Sequence, residues 1–157
     1  NVPDGAARFA EDPRIEALQI PCNVLDPRHR CSPALQAADR RGVAVFARSV
    51  YLQGLLVMPE DDIPDFLCDV IPVRRALEEI CTSNGLSLAE MALRYVMSLE
   101  GVTSVLTGVE TCQQLRENLH IAERGPLDAA LLDAIHDVVP ELSELVLSPP
   151  LWEPYRR

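Results

Sequence analysis

Between residues 87 and 121 the apolar positions change rhythm twice. Leu88, Met91, Ala92, Tyr95, Val96 and Leu99 fall at i, i+3, i+4, i+7 and i+8, the stripe of a helix with one buried face. Ser87 precedes the stripe as a cap. Glu90, three residues on, is expected to return a bond to the Ser87 amide and so complete a capping box. Gly101 ends the segment as left-handed cap residues do. Residues 102–107 are short, apolar and rich in β-branched side chains, the pattern of a strand buried on both faces. Gly108 follows, and Thr111 with Gln114 forms a second capping box at the head of another helix. A strand that ends in glycine and delivers the chain to a helix N-terminus suits an anion. Free amides converge there, the helix dipole adds positive potential, and glycine lets a ligand come close to the backbone.

Upstream, residues 3–11 read as a short helix with Ala6, Ala7, Phe9 and Ala10 on its apolar side, ended by Asp12-Pro13. Residues 15–24 read as a buried strand with Gln19 as its polar member. That amide either satisfies a neighbouring backbone group or points from a strand end into a ligand cavity. Ser32 caps a helix through residue 41, with Leu35, Ala37 and Ala38 inward and Gly42 closing it. Residues 43–47 form another strand buried on both faces, which runs into a polar, Gly-containing loop at 48–54. α/β folds place their chemistry beyond the carboxyl ends of such strands. A half-buried guanidinium needs partners, so Arg48 faces either a ligand or an internal salt bridge.

Residues 59–64 read as an acidic, solvated loop, and 73–81 as a helix with Val73, Leu77, Ile80 and Cys81 inward. The last helix spans 126–139 on a stripe of Leu127, Leu131, Leu132, Ile135 and Val138 or Val139. His120 and His136 read as surface or core-edge histidines. The Pro-rich tail is expected to pack over something without forming a regular element. Its Trp152 either walls a pocket or packs on the exterior. Strands alternating with helices predict an α/β fold with a parallel sheet and right-handed crossovers. Three parallel strands leave two open edges.

Composition narrows the function classes. The net charge of -10 argues against a nucleic-acid groove or an anionic membrane surface. No apolar run approaches the roughly 20 residues of a membrane span, and nothing at the N-terminus resembles a signal peptide. All 14 basic residues are Arg, so no Schiff-base or phosphate-binding Lys can come from this chain. The five Cys are odd in number and lack CxxC pairing, which favours reduced thiols in a cytoplasmic protein. Cys22, His29 and Cys31 are too irregularly spaced to predict a metal site. Asn1 in place of an initiator Met reads as the sign of a removed segment.

The stretches LQIPCNVLD, GVAVFARSVYLQGLL and SLAEMALRYVMSLEGVTSVLTGVETCQQLRENL, in that order, resemble the C-terminal half of an aldo-keto reductase. The resemblance runs over residues 15–152. It implies a partial (β/α)8 TIM barrel, strands six to eight with their helices, as a single domain over 1–157 with a C-terminal tail at 140–157. It also implies NADPH or NADH as cofactor, a small-molecule carbonyl substrate, and a missing N-terminal half-barrel.

By the same resemblance, Gln19 matches a strand-six Gln near the nicotinamide carboxamide. Arg48 stands where many members stack an aromatic residue on the nicotinamide; a guanidinium plane can stack as well. Ser49, Val50, Tyr51, Gln53 and Gly54 match the loop around the pyrophosphate, with Val50-Tyr51 in place of the usual Pro-Leu. Gly108, Val109 and Glu110 match the turn that holds the adenosine phosphate. Gln114, Glu117 and Asn118 match the helix that meets the adenine ribose and base. Members selective for NADPH often carry a basic residue in this region, where this chain has Glu110 and Gln114. The family's catalytic Asp, Tyr, Lys and His lie in the other half of the barrel. This chain has no Lys, and none of its three Tyr sits in the matching motif, so no catalytic residue is carried over. The expectation is most of a cofactor site without the proton donor. The alternatives are a non-catalytic half-barrel, acting as a nucleotide-binding or structural or regulatory subunit that self-associates through open edges, and a plain scaffold without ligand.

Overall fold

A computed structural model describes residues 3–30 and 32–155. Cys31 lies outside the described residues, and with it the Cys22, His29 and Cys31 grouping considered above. The elements run α1 (Pro3–Glu11), β1 (Ala17–Pro21), α2 (Pro33–Arg41), β2 (Ala44–Arg48), α3 (Ile71–Ser83), α4 (Leu88–Met97), β3 (Ser104–Val105), α5 (Cys112–Glu123), α6 (Ala129–Val138) and α7 (Glu144–Leu147), with 3-10 segments at Pro27–His29, Glu60–Asp62, Asp65–Val70 and Pro149–Tyr155. This is the expected order with α7 added. The strands are parallel in the order β1-β2-β3. The outer edges of β1 and β3 pair with no strand among the described residues.

The sheet has one covered face. Successive strand residues alternate sides, and Ile20, Val45 and Ala47 are buried under the helices together with Leu56, Leu77, Met91 and Val96. The opposite face is bare. Ala17 and Gln19 are exposed, Phe46 is 36% exposed and Leu106 is 41% exposed. Register sets Gln19 beside Phe46 and Phe46 beside Ser104, so these residues form one row on that face. The expectation that these strands are buried on both faces is therefore corrected. Three strands cannot fill the inward side that a closed barrel packs with side chains from all its strands.

β3 is also shorter than expected. The Val45 amide donates to Thr103 Oγ1 at 3.0 Å, where a ladder would supply a backbone carbonyl. The ladder recovers through Thr103 N to Val45 O (2.9 Å) and Leu106 N to Ala47 O (2.7 Å).

Ser87 caps α4 by accepting from the Glu90 amide at 3.0 Å. The Glu90 side chain does not return the bond. It is buried, and its carboxylate accepts from Arg94 (2.9 Å) and Arg124 (2.8 Å), tying α4 to the turn before α6. A buried carboxylate is stabilised far more by two guanidinium donors than by one backbone amide. Gly101 has φ +84 and runs so close to α2 that a Cβ there would lie 2.7 Å from the Leu35 carbonyl oxygen. Phe9, expected inward, is exposed. The acidic stretch 59–64 is more than a solvated loop: Glu60 pairs with Arg75 and Ile63 is buried.

The tail is regular, contrary to expectation. α7 packs against the turn at Asp65–Val70, and a 3-10 segment follows over Pro149–Tyr155. Trp152 is buried and donates from Nε1 to the Leu145 carbonyl at 2.7 Å, and Tyr155 stacks on Phe66. No helix among the described residues is long and apolar enough to cross a membrane.

Candidate functional site

Beyond the carboxyl ends of β2 and β3 lies a cleft of about 690 Å³, within the range of small-molecule and cofactor sites. Two segments form its walls. The first is the loop at residues 49–54. Ser49, Leu52 and Gln53 hold φ of +63, +45 and +54, conformations that side chains other than Gly rarely adopt. Burial of Val50 and Leu52 fixes this shape, with bonds from Leu52 N to Ser49 O and Gly54 N to Tyr51 O, both 2.9 Å. The loop thus inserts its apolar residues into the core, while Ser49, Tyr51 and Gln53 line the cleft.

The second wall is the turn from β3 into α5. Thr111 accepts from the Gln114 amide at 3.1 Å, and Gln114 Oε1 accepts from the amides of Glu110 (2.7 Å) and Thr111 (3.3 Å), so the expected capping box is complete. The box consumes amides that were expected to be free. Gly108 and Val109 line the cleft, and among the described residues their amides donate to no protein acceptor. They remain available to an anion at the α5 N-terminus.

Asn118 joins the two walls. Its Oδ1 accepts from the Tyr51 hydroxyl and its Nδ2 donates to Thr107 Oγ1, each at 3.2 Å. Burial pushes the Tyr51 phenol up from its ordinary value, so it stays a neutral donor. The polar lining carries Glu110 and Glu117, and among the described residues no basic residue lines the cleft.

Every candidate residue from the sequence lines this cleft except Gln19 and Arg48. Gln19 is exposed on the bare sheet face, and among the described residues its amide makes no hydrogen bond, so it does not satisfy a neighbouring backbone group. Arg48 forms no salt bridge among the described residues. It donates to Ser49 Oγ at 2.9 Å and lines an adjoining cavity of about 150 Å³ that shares Ser49 and Gln53 with the cleft. The tail closes that cavity through Leu147, Ser148, Pro149 and Pro150, and Arg28 latches the tail to the loop after β1 by pairing with Glu144 at 3.1 Å. Trp152 is not among the lining residues.

A model of the Aldo/keto reductase family matches residues 6–140. The chain belongs to the aldo/keto reductase family. Among solved structures, an aldo-keto reductase from Bacillus halodurans superposes with a TM-score of 0.69 at 21% identity, over 92% of this chain and 50% of that one. The glycerol dehydrogenase of Gluconobacter oxydans gives 0.62 at 18% identity, over 82% and 45%. These likenesses identify the fold: the three parallel strands and their helices are part of a TIM barrel. Among curated proteins, the chain is 27% identical to pyridoxal 4-dehydrogenase of Microbacterium luteolum over 116 residues, 67% of this chain and 34% of that protein. It is 32% identical to L-glyceraldehyde 3-phosphate reductase of Escherichia coli over 107 residues, 56% and 31%. The chain spans about a third of these curated relatives and half of the Bacillus structure.

In this aldo/keto reductase chain, sequence reasoning missed four lining residues: Val57, Ala89, Leu106 and Thr107. Val57 follows Leu55 and Leu56, both fully buried, and nothing in that apolar run marks the residue that turns outward. Thr107 carried a usable signal, a hydroxyl one residue before the turn glycine.

Proposed function

We propose that this chain supplies the dinucleotide-binding part of an NAD(P)H-dependent aldo-keto oxidoreductase acting on small carbonyl compounds. The cleft between the 49–54 loop and the β3–α5 turn carries this reading, because it joins free turn amides to a pre-shaped polar loop in one hollow. The unpaired Gly108 and Val109 amides fit a phosphate, and the cleft volume fits a nucleotide. Ser49, Tyr51 and Gln53 would flank the pyrophosphate. Glu117 and Asn118 would meet the adenosine, and Arg48 with Gln19 would border the nicotinamide. When bound, the cofactor supplies or accepts the hydride.

In this reading the proton for the carbonyl oxygen comes from residues outside this chain. Tyr51 is bonded to Asn118, Tyr95 is buried edge-on against His136, Tyr155 stacks on Phe66, and there is no Lys. The rest of a barrel would cover the row of Gln19, Phe46 and Ser104 and bring that chemistry. Calorimetric titration of the chain with NADH and with NADPH tests the reading. At least one should bind, and Asn118→Ala, which unties the two walls, should weaken binding about tenfold. A chain that unfolds cooperatively yet takes up neither nucleotide at millimolar concentration would overturn it.

The bare face and the two open edges favour a second reading, a non-catalytic half-barrel that binds a partner or its own copies as a nucleotide-binding, structural or regulatory subunit. Sedimentation at several concentrations separates the two: a persistent monomer argues against the subunit.

A further inference from the structure

We infer that the cleft selects NADH over NADPH; this rests on the dinucleotide reading above and concerns the end of the cleft beside α5. The two cofactors differ by one phosphate on the adenosine ribose, which adds a charge of about -1.5 to -2 at neutral pH. A site that accepts this group offers a guanidinium or ammonium, or several unpaired amides; one that rejects it offers a carboxylate. Among the described residues lining the cleft none is basic, while Glu110 and Glu117 are acidic. Arg116, the one Arg on α5, does not line the cleft, and Arg48 lines the adjoining cavity and donates to Ser49.

The amides that would compensate for a missing cation are already engaged. Gln114 Oε1 holds the amides of Glu110 and Thr111, and Thr111 Oγ1 holds the amide of Gln114. A phosphate at this helix end would have to open the capping box and then sit beside Glu110, in a chain whose net charge is -10. The two amides that stay unpaired, Gly108 and Val109, serve one phosphate common to both cofactors. Glu110 and Gln114 are therefore the specificity-determining residues: one repels the second phosphate, and the other occupies its donors.

Parallel calorimetric titrations with NADH and NADPH at low ionic strength test this. NADH is expected to bind at least about tenfold more tightly, and the gap should narrow with added salt, because screening weakens a repulsion between charges. Glu110→Gln, at an exposed position, should narrow the gap, and Gln114→Arg should narrow or reverse it by raising NADPH affinity relative to NADH about tenfold. If Gln114→Arg fails to fold for want of its cap, Glu110→Gln alone decides. Equal affinities, tighter NADPH, or a gap insensitive to Glu110→Gln overturns the selectivity and leaves the dinucleotide reading standing. Binding of neither cofactor overturns both.

Discussion

Replacing Gly101 with Ala isolates a single close approach in the fold. Two costs add. The backbone at φ +84 disfavours any Cβ, at about 1–2 kcal/mol. The new methyl would also lie 2.7 Å from the Leu35 carbonyl oxygen and 3.2 Å from its carbon. Both are backbone atoms of α2 and cannot rotate away, so relief requires α2 or the turn into β3 to shift, at about 1–3 kcal/mol. The sum is about 2–5 kcal/mol. Gly85→Ala is the internal control, because Gly85 has φ +64 but nothing within 4 Å of its added Cβ; only the first cost applies, about 1–2 kcal/mol. Urea denaturation followed by far-UV circular dichroism gives both values from the shift in midpoint, provided the slopes are unchanged. The reasoning fails if Gly101→Ala costs no more than Gly85→Ala.

The buried Glu90 node and the half-buried His136 give two further tests. Glu90→Ala should destabilise by about 3 kcal/mol, because it leaves Arg94, whose side chain is 14% exposed, without its carboxylate; Glu90→Gln should cost about 1–2 kcal/mol, and a denaturation midpoint unmoved by either would remove the node from the account. Both ring nitrogens of His136 are buried without a hydrogen-bond partner among the described residues, and its pKa is lowered from 6.5 by burial and then by the Arg30 charge, with Asp133 and Asp137 opposing. The unfolded chain therefore takes up the proton first, so stability is full above 6.5 and declines as pH falls toward the folded value. Asp12 and Glu60, held low by Arg14 and Arg75, respond only below 3.8 and 4.5, outside this window. Melting temperature should fall as pH drops below 6.5 and His136→Gln should flatten that slope; an equal slope in both proteins would exclude His136.

The order of elements was legible where a helix carries a 3.6-residue stripe, as α4 and α6 do, or a side-chain cap, as at Ser87 and Thr111. The cleft was legible because glycine and polar residues cluster just beyond apolar strands. The bare face was not. A run such as 43–47 is apolar whether or not neighbours are present, and composition holds no record of what covers Phe46. Glu90 was misread because a local rule offered a nearby amide, while its actual partners are Arg94 on the same helix and Arg124 on the turn before α6. The tail escaped because its Pro-rich composition hides the anchor that orders it, the bond from Trp152 to Leu145. The left-handed backbone at Ser49, Leu52 and Gln53 has no signature in residue type; the surrounding packing imposes it.

The loop at 49–54 holds its shape from within, through its own backbone bonds and the burial of Val50 and Leu52. A guest arriving there meets a surface that has already given up its freedom of shape, so little further ordering is asked of it on contact. The loop's left-handed residues also store strain at that point. If warming or a mutation loosens the grip of Val50 and Leu52 on the interior, the hinge beside the guest unwinds ahead of the sheet behind it.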